Sequence, residues 1–198
     1  LAAIEYFARV ADKGYRPVIA AGVAACVAAP LATYWVGDSA LPLVTVVMPS
    51  LNQGRFIAAA IDSVLDQGYP RLELVVVDGG STDGTLERLR GYGARIRWIS
   101  EPDAGQAAAV NKGVGMGQAS ILGWLNADDC YEPGALTRVV RHFVAQPGLM
   151  LVYGDARFVD EQGRELGPCR YVEPFDLGRL VHYGDVIAQP AAFFRREA

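Results

Sequence analysis

The chain has 198 residues, 52% of them hydrophobic and 20% charged, with a formal net charge of -4. That is enough for one globular domain with its own core, and it excludes a disordered chain and general binding to a phosphate backbone, so no nucleic-acid partner is expected. Cys26, Cys130 and Cys169 are scattered, with no CxxC spacing and no Cys near His142 or His182, which argues against a disulfide framework or a zinc site and fits a reducing compartment.

Ile4, Phe7, Ala8 and Ala11 fall at helical spacing, so a short amphipathic helix is expected within residues 1–16. Residues 17–37 carry no charge and are long enough to span a bilayer, with Lys13 and Arg16 before them and Tyr34 and Trp35 at the far end. Alanine dominates the stretch and Pro30 interrupts it, so a packed helix or an apolar linker competes with a membrane segment. A cleaved signal peptide fits less well, because no secreted-type cysteine pattern follows. Residues 1–40 are therefore set apart as an N-terminal apolar segment, and residues 41–198 as the domain.

Residues 41–48 form a continuous β-branched run that predicts a strand buried on both faces. A helix is predicted over 54–67, with Phe56, Ile57, Ala60, Ile61, Val64 and Leu65 on one face. A second strand over 72–77 ends at Asp78, and Ser81 and Asp83 cap a helix reaching about Arg90. A third strand covers 96–99, an alanine-rich helix 106–115, and a fourth strand 121–125. A helix over 133–146, a strand over 149–153, a hairpin over 156–166 turning at 160–163, and a last strand over 189–194 complete the order. Four β units joined by helical crossovers predict an α/β fold with a mostly parallel sheet.

Each of the first four strands ends in a polar or Gly-bearing loop: Ser50 and Asn52; Asp78 to Asp83; Glu101 to Gly105; Asn126 to Asp129. Together they line one sheet edge, where open α/β sheets bind ligands. Asp128 and Asp129 have no Lys or Arg in the eight residues that follow. Paired carboxylates of that kind suit Mg2+ or Mn2+, and such an ion commonly accompanies a diphosphate. The competing reading is an acidic turn that caps the next helix. Asp78 before Gly79 and Gly80 can accept a base N–H, with the glycines allowing close approach, or can simply form an Asx turn. Lys112 is one cation among acids. Base, ribose, diphosphate and metal together describe a nucleotide-diphosphate site. No GxGxxG follows the first strand, which argues against a dinucleotide dehydrogenase, and no Arg- or Lys-bearing glycine loop supports a nucleotidyltransferase.

Thr45-Val-Val-Met-Pro-Ser-Leu-Asn52, Val77-Asp-Gly-Gly-Ser-Thr-Asp-Gly84, Ser100-Glu-Pro-Asp-Ala-Gly-Gln106 and Trp124-Leu-Asn-Ala-Asp-Asp129 resemble the successive signatures of the family 2 glycosyltransferases. Gln189-Pro-Ala-Ala-Phe-Phe-Arg195 resembles a further stretch, and the likeness covers about residues 43–196. It implies a GT-A fold, Rossmann-like with helices on both faces, a UDP, GDP or dTDP sugar donor, and an inverting, metal-assisted transfer. By position, Pro49, Ser50 and Asn52 would line the nucleotide pocket, and Asp78 beside Gly79 would hold the base. Glu101, Asp103 and Lys112 would border base and diphosphate. Asn126 stands where the family's DxD motif has its first Asp, and would bond ribose. Asp128 would hold Mn2+ or Mg2+, and Asp129 would be either a lesser metal ligand or an acceptor-site contact. Proteins of this kind imply bacterial polysaccharide or cell-envelope glycan synthesis, a glycan or lipid-linked acceptor, and a cytoplasmic site at the inner membrane face. In similar enzymes the catalytic base lies beyond the Gln-Pro stretch, and neither Asp155 nor Asp185 matches it. The chain stops at Ala198, so the domain is expected to be incomplete at its C-terminus and weak in turnover. The alternative is a nucleotide-sugar-binding module without catalysis.

Overall fold

A computed structural model describes residues 18–21, 41–169, 182 and 187–198. Strand β1 spans Val18–Ala21, β2 Val44–Ser50, β3 Leu72–Asp78, β4 Arg97–Ser100 and β5 Ile121–Trp124. Helices α1 (Ile57–Leu65), α2 (Thr85–Gly91) and α3 (Gln106–Met116) connect β2 to β5 in turn. After β5 come β6 (Cys130–Tyr131), α4 (Ala135–Ala145), β7 (Leu151–Tyr153), β8 (Ala156–Val159), β9 (Glu165–Pro168) and β10 (Ala192–Arg195).

The central sheet has the order β4-β3-β2-β5-β10-β7. Strands β2 to β5 are mutually parallel, and β10 runs antiparallel between β5 and β7. The chain steps outward from β2 to β4, then jumps back across β2 to form β5. With crossovers of constant hand, that reversal moves the connecting helix to the other face. Alternation along the strands bears this out. Val44, Val46, Met48, Leu74 and Val76 join α1, Leu89 of α2 and α4 in the main core. Val75 and Val77 face the opposite way, with Ala109 of α3. Helix α3 rides very close to the sheet: a Cβ at Gly113 would lie 2.3 Å from Val47 Cγ1, and one at Gly117 2.5 Å from Thr45 Cγ2.

Two arginines at the end of β10, Arg195 and Arg196, brace these layers. Arg196 donates to the carbonyls of Val114, Gly117 and Ala119, where α3 ends and its unpaired carbonyls favour a cation. Arg195 donates to Leu149 and Phe143 carbonyls and stacks 5.3 Å from the Phe143 ring centroid, at the end of α4.

A second, smaller sheet has the order β6-β1-β8-β9. The expected hairpin is present: β8 and β9 pair antiparallel about a turn whose amides at Gln162 and Arg164 donate to Asp160 Oδ1. Strand β1, within the uncharged stretch, pairs with β8 and β6. The remainder of residues 17–37, the helix expected within 1–16, and Asp185 lie outside the described residues. Among the described residues no helix is long and apolar enough to cross a membrane.

Candidate functional site at the carboxyl edge of the sheet

The strand order reverses between β2 and β5, and open α/β sheets bind ligands outside the carboxyl ends at such a point. The strand lengths carve a recess there. Strand β2 keeps pairing with β3 as far as Ser50 opposite Asp78, and β4 reaches Ser100 opposite the same Asp78. Strand β5 stops with Trp124 opposite Val47, three residues earlier. The β5 end is thus set back by roughly 10 Å at about 3.3 Å per residue. The loop 125–129 floors that step.

On the high side, Asp78 is 0% exposed and is surrounded by donors. Its Oδ2 accepts the Gly80 amide at 3.1 Å, the Ser81 amide at 2.9 Å and the Ser100 hydroxyl at 2.6 Å. Its Oδ1 accepts the Ser81 hydroxyl at 2.5 Å. A buried carboxylate persists only when it is met in this way. The carboxylate that the sequence offers for a base is therefore turned inward, where it shapes the loop after β3 and ties it to the end of β4.

The loop after β2 is stapled to the same structure. The Gly79 amide donates to the Ser50 carbonyl at 2.8 Å. The Asn52 amide donates to Ser81 Oγ at 2.7 Å, and Asn52 Oδ1 accepts the Thr82 amide at 2.9 Å. Asn52 adopts φ 53°, a left-handed conformation that Asn tolerates better than most residues. The Gly54 amide donates to Asp83 Oδ2 at 2.8 Å, and a Cβ at Gly54 would sit 2.8 Å from the Asp83 carbonyl oxygen. Pro49 and Ser50 are buried, and among the described residues the Ser50 hydroxyl has no hydrogen-bond partner. The Thr85 hydroxyl, opposed by slight desolvation and helped by the Gly54 and Thr85 amides, holds the Asp83 carboxyl below its ordinary value.

The loop after β4 carries an exposed ion pair between Lys112 of α3 and Glu101. Asp103 Oδ1 accepts the Gly105 amide at 2.8 Å, closing an Asx turn ahead of α3. Its carboxylate lies over Gly79, whose Cβ would be 3.2 Å from Asp103 Oδ2.

On the low side the hub is Asn126. Its Oδ1 accepts Gln106 Nε2 at 2.8 Å and Trp124 Nε1 at 3.0 Å. Its Nδ2 donates to Asp129 Oδ2 at 3.3 Å and to Gln189 Oε1 at 3.1 Å. Gln189 also donates to the Trp124 carbonyl at 2.5 Å. An Asn can serve two donors and two acceptors at once, which an ionised Asp cannot. Asp129 is 4% exposed and Asp128 is half-buried beside it. Burial, and then the Asp129 charge, push the Tyr131 hydroxyl up; burial does the same to Cys130, against a hydrogen bond with Ser63, with Asp129 adding to the rise.

The structure thus gathers all the sequence-predicted residues on one edge, in two groups: Pro49, Ser50, Asn52, Asp78, Gly79, Glu101, Asp103 and Lys112 on the high side, and Asn126, Asp128 and Asp129 on the low side. It adds Ser81 and Ser100 around Asp78, and Gln106, Trp124 and Gln189 around Asn126. All five lie within the quoted motifs, and only their polar side chains marked them beforehand. Asp155 is exposed at the end of β7. Among the described residues no group of three or more His, Cys, Asp or Glu could by itself hold a metal. The adjacent oxygen donors of Asp128 and Asp129 are of the kind that Mg2+ or Mn2+ takes, one or two carboxylates with a substrate's phosphates.

Residues 45–197 match the profile of "Glycosyl transferase family 2". The chondroitin synthase of Pasteurella multocida (strain Pm70) is 35% identical over 126 residues, covering 62% of this chain and 13% of that protein. A PGL/p-HBAD biosynthesis glycosyltransferase of Mycobacterium tuberculosis (strain ATCC 25177 / H37Ra) is 35% identical over 162 residues, covering 79% of this chain and 60% of that one. The chain therefore spans less than two thirds of these relatives' length. Among solved structures, the mannosyltransferase PcManGT from Pyrobaculum calidifontis, in complex with GDP-Man and Mn2+, aligns with a TM-score of 0.59 at 23% identity, over 98% of this chain and 52% of that one. S. aureus TarS 1-349 aligns with a TM-score of 0.56 at 19% identity, over 77% and 47%. These likenesses establish the fold as GT-A.

Proposed function

The chain belongs to glycosyl transferase family 2, and from that premise we propose that it takes part in transferring a sugar from a nucleotide-diphosphate donor to an acceptor hydroxyl, with inversion and with a divalent metal. One observation carries the reading. The recess at the strand-order reversal has a stapled, glycine-bearing high side and a floor bearing Asp128 and Asp129. A nucleoside lies on the high side, between the β2 and β3 loops. Its diphosphate descends the step toward Asp128, the residue that would hold Mn2+ or Mg2+. When bound, such an ion supplies neutralising charge for the leaving nucleoside diphosphate.

The chain's own residues orient and enclose. Asp78 fixes the walls, and Asn126 holds Asp129 at the floor. Lys112, paired with Glu101, is the cation offered to phosphate charge. Asp129 is the group offered to the acceptor. The structure of PcManGT holds GDP-Man and Mn2+, a structure of TarS 1-349 holds UDP-GlcNAc, and the relatives include chondroitin synthases. These support a nucleotide-sugar donor and a polysaccharide or cell-envelope glycan as product; a site at the cytoplasmic face of a membrane belongs to the same proposal. The test is calorimetric titration of UDP, GDP and dTDP into the 198-residue chain, with and without Mn2+, on wild type and Asp128→Ala. Metal-dependent binding of one nucleotide, weakened at least tenfold in the variant, is the expected result. Binding that ignores both Mn2+ and Asp128 overturns the metal-assisted reading.

A further inference from the structure

Resting on that reading, we infer that Asp103 is the carboxylate that reads the nucleobase, accepting a ring N–H of uracil, thymine or guanine through Oδ2. Four carboxylates border the high side, and their partners separate them. Asp78 is buried, with donors on both oxygens. Asp83 accepts the Gly54 amide on Oδ2, and the Thr85 amide and hydroxyl on Oδ1. Glu101 is paired with Lys112. Asp103 accepts one hydrogen bond, the Gly105 amide on Oδ1. Its Oδ2 is the oxygen nearer the bare face of Gly79, and no described residue donates to it.

Position explains why that oxygen matters. Gly79 directly follows β3, at the top of the step. Asp128 lies beyond the end of β5, two strands across and set back along the sheet. Those are the two ends that a base and its terminal phosphate must occupy. At Gly79 there is no side chain to fill the base end, and Asp103 reaches over it from the neighbouring loop. A carboxylate accepts but does not donate. It therefore favours bases that present a ring N–H between carbonyls, or one beside a carbonyl, and disfavours cytosine and adenine, whose corresponding ring nitrogen is an acceptor.

The test compares UDP with CDP, and GDP with ADP, by titration in the presence of Mn2+. It uses wild type, Asp103→Asn and Asp103→Ser, each checked by circular dichroism melting. Both substitutions keep an oxygen for the Gly105 amide and remove the charge. Wild type is expected to prefer UDP over CDP, or GDP over ADP, by tenfold or more, the weight of a charge-assisted hydrogen bond. In both variants that ratio falls to about threefold or less, since the remaining neutral contact is worth roughly half as much. Asp103→Asn gains a donor suited to cytosine or adenine. An unchanged ratio in the variants, or no base preference in a wild type that binds nucleotide, overturns the inference and leaves the parent reading standing. A wild type that melts cooperatively but binds none of the four nucleotides, and dTDP no better, overturns the parent reading, and this inference with it.

Discussion

The two sides of the recess are built on opposite principles. On the high side a buried carboxylate, Asp78, draws four donors inward from the β3 and β4 loops. On the low side an amide, Asn126, takes two donors and gives two hydrogens, so one side chain links α3, β5, Asp129 and Gln189. The first arrangement makes a rigid wall. The second gives a buried carboxylate, Asp129, an amide hydrogen from a hub that itself carries no charge. Helix α3 serves both: Gln106 at its first turn reaches Asn126, and Lys112 reaches Glu101. Its glycines at 113 and 117 let it lie close enough to do so.

The sharpest way to break the comparison is Asp78→Asn. An amide there turns two hydrogens toward groups that are themselves donors, and buried donors are left unpaired. The expected loss is about 3 kcal/mol of unfolding free energy, read from urea melts, with nucleotide binding lost in parallel. A variant that melts like wild type would mean that the wall does not depend on this charge.

Much of this edge was legible beforehand. The run at 44–48 is rich in β-branched residues and that at 72–77 ends in three valines, and their parallel pairing follows from helical crossovers. The site residues were marked by where strands end. The direction in which they point was not. Asp78 reads as a ligand because it ends a strand before two glycines, yet two of its four donors come from side chains at Ser81 and Ser100, the second 22 residues away and on another strand. Asn126 reads as a ribose contact at the first position of a DxD-like motif, and its four partners come from Gln106, Trp124, Asp129 and Gln189. The last strand was expected, but its antiparallel insertion between β5 and β7 depends on Phe193 fitting against Gly123, a contact 70 residues apart. Local pattern carries strands and helices; it does not carry partners chosen by long-range packing, and the expected Ser81 cap instead bonds Asp78 and Asn52, with Gly84 at the helix start.

Asn126→Asp tests the low side. The introduced carboxyl faces Asp129 Oδ2 and Gln189 Oε1 in place of hydrogens. Like charge at that range raises the carboxyl's folded value above the unfolded value of about 3.9. A group raised in this sense is neutral and tolerated at low pH, and costs stability as pH climbs through its folded value. The variant is expected to match wild type near pH 4 and to lose about 1–2 kcal/mol by pH 7, with Mn2+ recovering part of the deficit. A deficit of the same size at both pH values, indifferent to Mn2+, would show that geometry rather than charge sets the choice of Asn.

The smallest effect separates the staple from the wall. Asp83 is exposed, yet the Thr85 hydroxyl and the Gly54 and Thr85 amides hold its carboxyl low. A depressed carboxyl contributes stability above its unfolded value, near pH 4, and the contribution disappears as pH falls through the lower folded value. Solvent screening keeps it below about 1 kcal/mol. Urea midpoints of wild type and Asp83→Asn, followed from pH 6 to pH 2, should therefore differ above pH 4 and converge below it. Because Asp83 ties Gly54 to the start of α2 without touching Asp78, the two curves should converge with the β3 wall still folded. Convergence only upon global unfolding would mean that staple and wall form a single cooperative unit.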